Sequence, residues 1–354
     1  MSRALIAMSG GVDSSVAAYL MKQRGFDCIG VTMKLFSNEE IGCSRAKTCC
    51  SLEDVEDARS VAYRLGIPYY VFNFTEDFGR QVIDRFVAAY ENGATPNPCI
   101  DCNRYLKFER LYRRASELGC DRVATGHYAR IEKQGDRYLL KKASDESKDQ
   151  SYVLYAMTQE QLAHTAFPCG ALNKTQTRQI AEEQGFLNAE KPDSQDICFV
   201  PDGDYAAFIR RYTGKSYPDG PFVTTQETIV GRHRGIIHYT VGQRKGLGIS
   251  SDRPLYVQSI DAAKNTVVLG ENRELFGTEL NAGNFNWIAF ETPPDVLRAK
   301  AKIRYRHQEQ WATVEVTGKN TVHLVFDAPQ RAVTRGQAVV LYDGDTVLGG
   351  GEII

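Results

Sequence analysis

Short apolar runs alternate with longer amphipathic stretches through the first half of the chain. The runs at 4–8, 28–35, 69–74 and 122–125 are brief, mostly apolar and bounded by glycine or polar residues, which predicts buried strands. Residues 16–24 have helical spacing and stop at Gly25. A second helix opens at Ser51-Leu52-Glu53-Asp54 in the manner of a capping box and closes near Gly66. Strands separated by helices of this length imply parallel pairing through right-handed crossovers, a doubly wound α/β unit with its ligands at the carboxyl ends of the strands.

After about residue 204 the period changes. Gly, Pro, Asp and Asn punctuate short β-branched runs at 228–230, 266–269, 312–316, 321–326 and 338–342, and a further boundary falls between 276 and the Pro293-Pro294 pair. The expectation is three domains: an α/β catalytic domain over 1–204, a small β-rich domain over 205–275, and a C-terminal β-barrel over 276–354.

Composition narrows the class more than the function. With 42% hydrophobic and 25% charged residues in 354, the chain is an ordinary globular protein and neither disordered nor fibrous. Gly10, Gly11 and Asp13 cut short the N-terminal apolar run before a signal peptide or membrane span could form, so a cytoplasmic protein without membrane attachment is expected. A formal net charge of −1 excludes a globally basic nucleic-acid binder and leaves room for a local basic face. Nine cysteines, an odd number in so long a chain, suggest thiols for chemistry, metal or packing rather than a disulfide framework.

SGGVDSS, residues 9–15, falls between the first expected strand and helix. Two glycines allow a tight turn, the helix N-terminus adds partial positive charge, and Ser9, Ser14 and Ser15 can donate hydroxyl hydrogen bonds, which together describe a phosphate site. No GK[ST] follows, and the third glycine of a dinucleotide fingerprint is absent. Asp13 would repel phosphate unless a cation intervened, so Mg²⁺ is expected to bridge it to a pyrophosphate.

The loop resembles the pyrophosphate loop of the N-type ATP pyrophosphatases, which implies cleavage of ATP between its α- and β-phosphates to adenylate an acceptor. Such relatives include amide-forming ligases as well as tRNA-modifying enzymes. Seven further stretches narrow the resemblance to the tRNA-specific 2-thiouridylases: TPNPCIDCNRYLKF (95–108), ATGHYAR (124–130), KDQSYVLY (148–155), DSQDICF (193–199), YTVGQRKGLGI (239–249), KIRYR (302–306) and LGGGEI (348–353).

That resemblance implies ATP-dependent 2-thiolation of the wobble uridine in tRNA, with Lys, Glu and Gln acceptors. Cys102 would be the nucleophile and Cys198 the persulfide carrier, supplied by a cysteine desulfurase or a sulfur-relay protein. Ala7, Met8, Ser9, Gly10, Gly11, Val12, Asp13 and Ser14 would hold the nucleotide with Met33 and Gly126, while Asn97, Pro98 and Cys99 line the target-base pocket. His127, Lys148, Asp149, Gln150, Arg304, Tyr305 and Gln337 would touch tRNA. Arg335 stands where the family pattern usually has proline, which puts the presentation of Gln337 in question.

Two distant thiols suit this chemistry. Adenylation turns the uracil C2 oxygen into a leaving group, a persulfide on Cys198 attacks C2, and Cys102 as thiolate takes over the bond to Cys198 by closing a disulfide. Cys99 stays open between two readings. The family commonly places an Asp there as general acid or base, a task to which a thiol at its ordinary pKa is less suited. Together with Cys102 and Cys198 it would also make a three-thiolate set for a [4Fe-4S] cluster.

The remaining cysteines divide by surroundings. Cys28, Cys120 and Cys169 sit in apolar sequence as small buried hydrophobes. Cys43, Cys49 and Cys50 form a separate loop group without a nearby fourth zinc ligand. Prolines 96 and 98 place the CxxC in a loop.

RAKAKIRYR, 298–306, puts Arg298, Lys300, Lys302, Arg304 and Arg306 at alternate positions, so a strand there has one cationic face, suited to an RNA backbone or to a charged sheet edge. Two other classes stay in view: a small-molecule ligase, which leaves Cys102 and Cys198 idle, and a non-catalytic RNA-binding protein with a relict loop.

Overall fold

The computed structural model describes residues 2–37, 52–192 and 197–354. Seven strands form in the first part: β1 (Arg3–Ala7), β2 (Asp27–Lys34), β3 (Tyr69–Asn73), β4 (Arg122–Ala124), β5 (Ala129–Gln134), β6 (Arg137–Lys142) and β7 (Thr165–Ala166). Five of them make a wholly parallel sheet in the order β3-β2-β1-β4-β7. The chain winds outward from β1 to β3 and then returns to β4 on the other side of β1. The crevice between the carboxyl ends of β1 and β4 is therefore the switch point at which such sheets bind ligands.

Helix α1 (Val12–Gln23) starts four residues earlier than its apolar spacing suggests. Gly11 is the extended residue before it, with φ −89° and ψ 160°, and Val12 and Val16 are both buried, so the helix grows directly out of the glycine turn. Helix α2 (Leu52–Leu65) lies where the second helix was expected. Ser51, its expected cap, and the Cys43, Cys49 and Cys50 group lie outside the described residues, as do 193–196.

One face of the sheet packs Ala4, Ile6 and Met8 against α1 and α2. The other packs Leu5, Val31 and Val123 into an aromatic cluster, in which Phe199 meets Phe78 and Phe86 edge to face at centroid distances of 5.6 and 5.3 Å.

The second part is a helix, Tyr205–Thr213, and a mixed sheet of β8 (Gly220–Thr224), β9 (Ile229–His233), β10 (Tyr256–Asp261) and β11 (Thr266–Gly270) in the order β10-β11-β8-β9. Its buried Phe222, Val257, Val267 and Leu269 belong to the same cluster as Leu5 and Val31, so this unit closes over the catalytic sheet instead of building a core of its own.

The third part is a six-stranded antiparallel barrel of β12 (Phe276–Trp287), β13 (Val296–Lys302), β14 (Gln310–Gly318), β15 (Thr321–Arg331), β16 (Ala338–Asp343) and β17 (Thr346–Ile353). Pairing of β12 with β17 closes it. The β5–β6 hairpin of the first part turns at Gly135, φ +59°, and joins this sheet, with Leu140 and Lys141 of β6 opposite Val347 and Thr346 of β17. Sequence reading did not find the hairpin, although Gln134-Gly135-Asp136 between two strand-like runs is the expected turn chemistry.

Candidate active site

The 9–15 loop occupies the switch point, and the chain is braced there from within. Gly10 has φ +75°, and a Cβ at that position would lie 2.4 Å from the Asp54 carbonyl oxygen, so both conformation and space require glycine. The Ser14 and Ser15 hydroxyls donate to the Gly11 carbonyl at 2.9 and 3.1 Å, and the Ser9 N–H donates to Ser14 Oγ at 3.1 Å. Ser14 and Ser15, expected to donate to an anion, instead rigidify the turn that leaves the helix N-terminus pointing at one.

Gly126, just past β4, presses against the same loop. A Cβ there would stand 2.6 Å from the Asp13 carbonyl carbon and 2.7 Å from Ser14 N. Met33, at the end of β2, is half-buried on the neighbouring strand. The nucleotide residues expected from β1, β2 and β4 are thus gathered at one end of one sheet.

Asp13 does not stand alone in this loop. Lys174 Nζ donates to its two carboxylate oxygens at 2.7 and 2.9 Å, and Tyr128 Oη donates at 2.8 Å. Asn188 Nδ2 donates to the Gly10 carbonyl and to Ser15 Oγ, both at 2.9 Å. Burial next to Asp13 pushes the Tyr128 phenol upward, so it stays a proton donor. Sequence reading missed Lys174, Tyr128 and Asn188. Lys174 opens a helix whose Asn173–Gln176 capping box is legible, but its pairing with Asp13 spans 161 positions.

Asp13, the expected Mg²⁺ ligand, is thus already paired within the protein. Lys174 supplies a cation at 2.7 Å, and among the described residues no three His, Cys, Asp or Glu side chains are arranged to hold a metal ion. Cys99, Cys102 and Cys198, all of which are described, are likewise not gathered into a ligand set of three.

The CxxC lies in a helix and not in the expected loop. Pro98 takes the first helical position, where its missing N–H costs nothing, and Asn97 Oδ1 accepts from Cys99 N at 3.2 Å as the cap. The helix Pro98–Asp101 passes into a π-helical stretch, Cys102–Arg110, that begins at Cys102, and continues as Leu111–Glu117. Cys99 is exposed, whereas Cys102 and Cys198 are each half-buried against the one aromatic cluster. Phe199, the residue after Cys198, is buried within that cluster. Cys28, Cys120 and Cys169 are buried as expected, with Cys169 Sγ donating to the Asp13 carbonyl at 3.4 Å.

A cavity of about 80 Å³ between this helix and the barrel is lined by Arg85, Asn97, Asp101, Arg104 and Glu352. Burial pushes Asp101 up to about 6, against the pull of Arg85 at 3.4 Å.

The residues expected to touch RNA are mostly engaged by the protein itself. The strand β13 ends at Lys302, so Arg304 and Arg306 lie beyond the alternation that would have given one cationic face. Arg298 pairs with Asp327 at 2.6 Å, and Lys302 lies over the Tyr152 and Tyr305 rings. Arg304 Nη2 donates to the carbonyls of Val241 and Ala332 and to Thr334 Oγ1, and Gln337 Nε2 donates to the Thr95 carbonyl.

The Asp149 carboxylate accepts from Ala143 N and Ser151 N, while Gln150 Oε1 accepts from Tyr128 N. Tyr305 Oη donates to the Asp149 carbonyl at 3.3 Å. His127 sits between Phe108 and Phe167 with Nδ1 2.6 Å from Thr125 Oγ1, and burial keeps it neutral. Lys148 is half-buried in the same loop as Asp149.

Comparison with known proteins agrees with this division. Family models described as "tRNA methyl transferase HUP domain", "tRNA methyl transferase PRC-barrel domain" and "Aminomethyltransferase beta-barrel domain" match residues 2–202, 206–271 and 277–353. The chain is 52% identical over 353 residues to the tRNA-specific 2-thiouridylase MnmA of Clostridioides difficile, covering 99% of this chain and 98% of that protein. Identity is 50% over 351 residues to the MnmA of Clostridium acetobutylicum, covering 99% of each chain. For the MnmA of Lachnoclostridium phytofermentans it is 51% over 356 residues, covering 100% of each.

Proposed function

Because the chain belongs to the tRNA-specific 2-thiouridylase family, we propose that it converts the wobble uridine of tRNA to 2-thiouridine at the expense of ATP. The observation that carries the reading is the placing of two half-buried thiols, Cys102 and Cys198, against one apolar cluster on the sheet whose switch point holds the anion loop. The reading keeps the division into 1–204, 205–275 and 276–354, with catalysis in the first part.

ATP binds with its phosphates at the α1 N-terminus and its adenosine between Met33 and Gly126. The uracil C2 oxygen attacks the α-phosphorus and pyrophosphate leaves. The terminal sulfur of a Cys198 persulfide adds to C2, and collapse of the adduct expels AMP. The Cys102 thiolate then attacks Cys198 Sγ, the S–S bond to the base breaks, and the thiocarbonyl remains on the uridine while a Cys102–Cys198 disulfide forms. An external dithiol restores both thiols, and a cysteine desulfurase or relay protein reloads Cys198.

Asn97, Pro98 and Cys99 meet the splayed base, consistent with recognition of unstacked loop bases in RNA. His127, Lys148 to Gln150 and Tyr305 shape the surface around it. The reading takes the tRNAs for Lys, Glu and Gln as the acceptors and the cytoplasm as the setting. No described helix is long and apolar enough to cross a membrane.

The test is mass spectrometry of nucleosides from unmodified tRNA incubated with the protein, ATP, Mg²⁺ and a persulfide source. The intact chain is expected to form 2-thiouridine, and Cys102→Ser and Cys198→Ser to lose it by more than about a thousand-fold while still releasing pyrophosphate. Product formation by Cys198→Ser at the full rate would remove the persulfide step, and no product from the intact chain would overturn the reading.

A further inference from the structure

One loop of the barrel holds the segment that leads into the cysteine helix. Residues 332–337 connect β15 to β16, and they bind Thr95 at both of its backbone groups. Thr95 N donates to the Arg335 carbonyl at 2.9 Å, and Gln337 Nε2 donates to the Thr95 carbonyl at 2.7 Å.

Gly336, at φ +87°, makes the approach possible. A Cβ there would stand 3.1 Å from Ala94 Cβ and 3.2 Å from Thr95 N. Behind the loop, Arg304 Nη2 reaches the Ala332 carbonyl at 2.9 Å, Thr334 Oγ1 at 2.7 Å and the Val241 carbonyl at 3.3 Å, tying barrel and central unit together. Thr334 is 2% exposed, and its Oγ1 donates to the Ala332 carbonyl. Two residues beyond Thr95, Asn97 caps the helix of Cys99 and Cys102. Ile100 and Phe108 of that helical segment share a buried cluster with Ala338, Val340 and Tyr342 of β16.

We propose that the 332–337 loop is the positioning element of the sulfur site: Arg304 holds the loop, and Gln337 fixes Thr95 and through it the Asn97 cap and Cys102. This inference rests on the proposed thiolation. A displacement of about 1 Å at a nucleophile can slow its reaction about a hundred-fold. Losing Gln337 is therefore expected to act on the rate through the placing of Cys102.

The experiment uses the full chain with Gln337→Ala and Gly336→Ala, each checked for a native melting transition. Three quantities are read: affinity for unmodified tRNA, the single-turnover rate of 2-thiouridine formation, and the rate of iodoacetamide alkylation at Cys102 located by tandem mass spectrometry. Gln337→Ala is expected to leave tRNA affinity within about two-fold, lower the single-turnover rate about ten-fold, and change Cys102 alkylation about five-fold or more. Gly336→Ala removes no side chain that could touch RNA and is expected to reproduce all three results.

A ten-fold loss of tRNA affinity in Gln337→Ala with Cys102 alkylation unchanged would overturn the proposal, as would no change in any of the three. If the intact chain failed to thiolate tRNA, the functional reading would fall by itself. Alkylation, which needs neither ATP nor RNA, would still report on the loop.

Discussion

The anion loop takes its shape largely from itself, with Ser14 and Ser15 bracing Gly11 inside a run of seven residues, whereas the cysteine helix takes its place from the barrel, Gln337 reaching Thr95 across 242 positions. The first arrangement is complete when the α/β sheet is complete. The second also needs the barrel loop and Arg304, which ties that loop to the central unit. Nucleotide binding should accordingly tolerate damage to the barrel, and sulfur chemistry should not.

The sharpest attempt to break that contrast is Gly126→Val. Its side chain would drive into the Asp13–Ser14 backbone, so ATP affinity by calorimetry is expected to fall by more than about a hundred-fold while Cys102 alkylation holds. Next in size, Arg304→Met removes the donor shared by the Val241 and Ala332 carbonyls and Thr334 Oγ1, which is expected to cost about 1–2 kcal/mol in a urea melt and leave ATP affinity unchanged. A matching loss of ATP binding would show the two regions to be one.

Lys174→Met is a smaller change. It leaves the Asp13 carboxylate uncompensated beside the triphosphate, weakening ATP about ten-fold, and Asp13→Asn in the same chain is expected to recover part of that loss.

The smallest effect concerns Asp101. Its folded pKa of about 6 lies above the ordinary 3.8, so the folded state binds the extra proton. Stability contributed by the protonated form is fully present below about pH 4, declines as pH rises through 6, and is constant beyond. Asp101→Asn is expected to flatten that slope in melts from pH 4 to 8 and to gain about 1 kcal/mol at the alkaline end, after allowance for the lost charge on Arg85.

What sequence pattern revealed follows the same division. Strand, glycine turn and helix at 3–23 are near neighbours, so local chemistry sufficed to place the phosphate site, and Gly126 followed from the motif around it. The three-part order was legible from the change of period near 204. Lys174 as the partner of Asp13 was not legible, since a capping box announces a helix and not what its first lysine will meet. The CxxC was misjudged because proline was weighed as a loop former, although after Asn97 it starts a helix. The 298–306 alternation did produce a strand to Lys302, but alternation says nothing of Asp327 or the carbonyls of the 332–334 turn, which engage Arg298 and Arg304.

The β5–β6 hairpin also bears on the order in which the molecule is made. It is synthesised by residue 142, yet the strand it joins begins only at Thr346, the first of the eight residues of β17. During synthesis the parallel sheet can form early, because domains fold as they emerge. The hairpin must wait with an unpaired edge until β17 has been made, and β17 then binds β6 with its first residues and closes the barrel on β12 with its later ones. A nascent chain that has only its ATP loop therefore has no seated cysteine helix, and the thiols acquire their setting only once the barrel has been made.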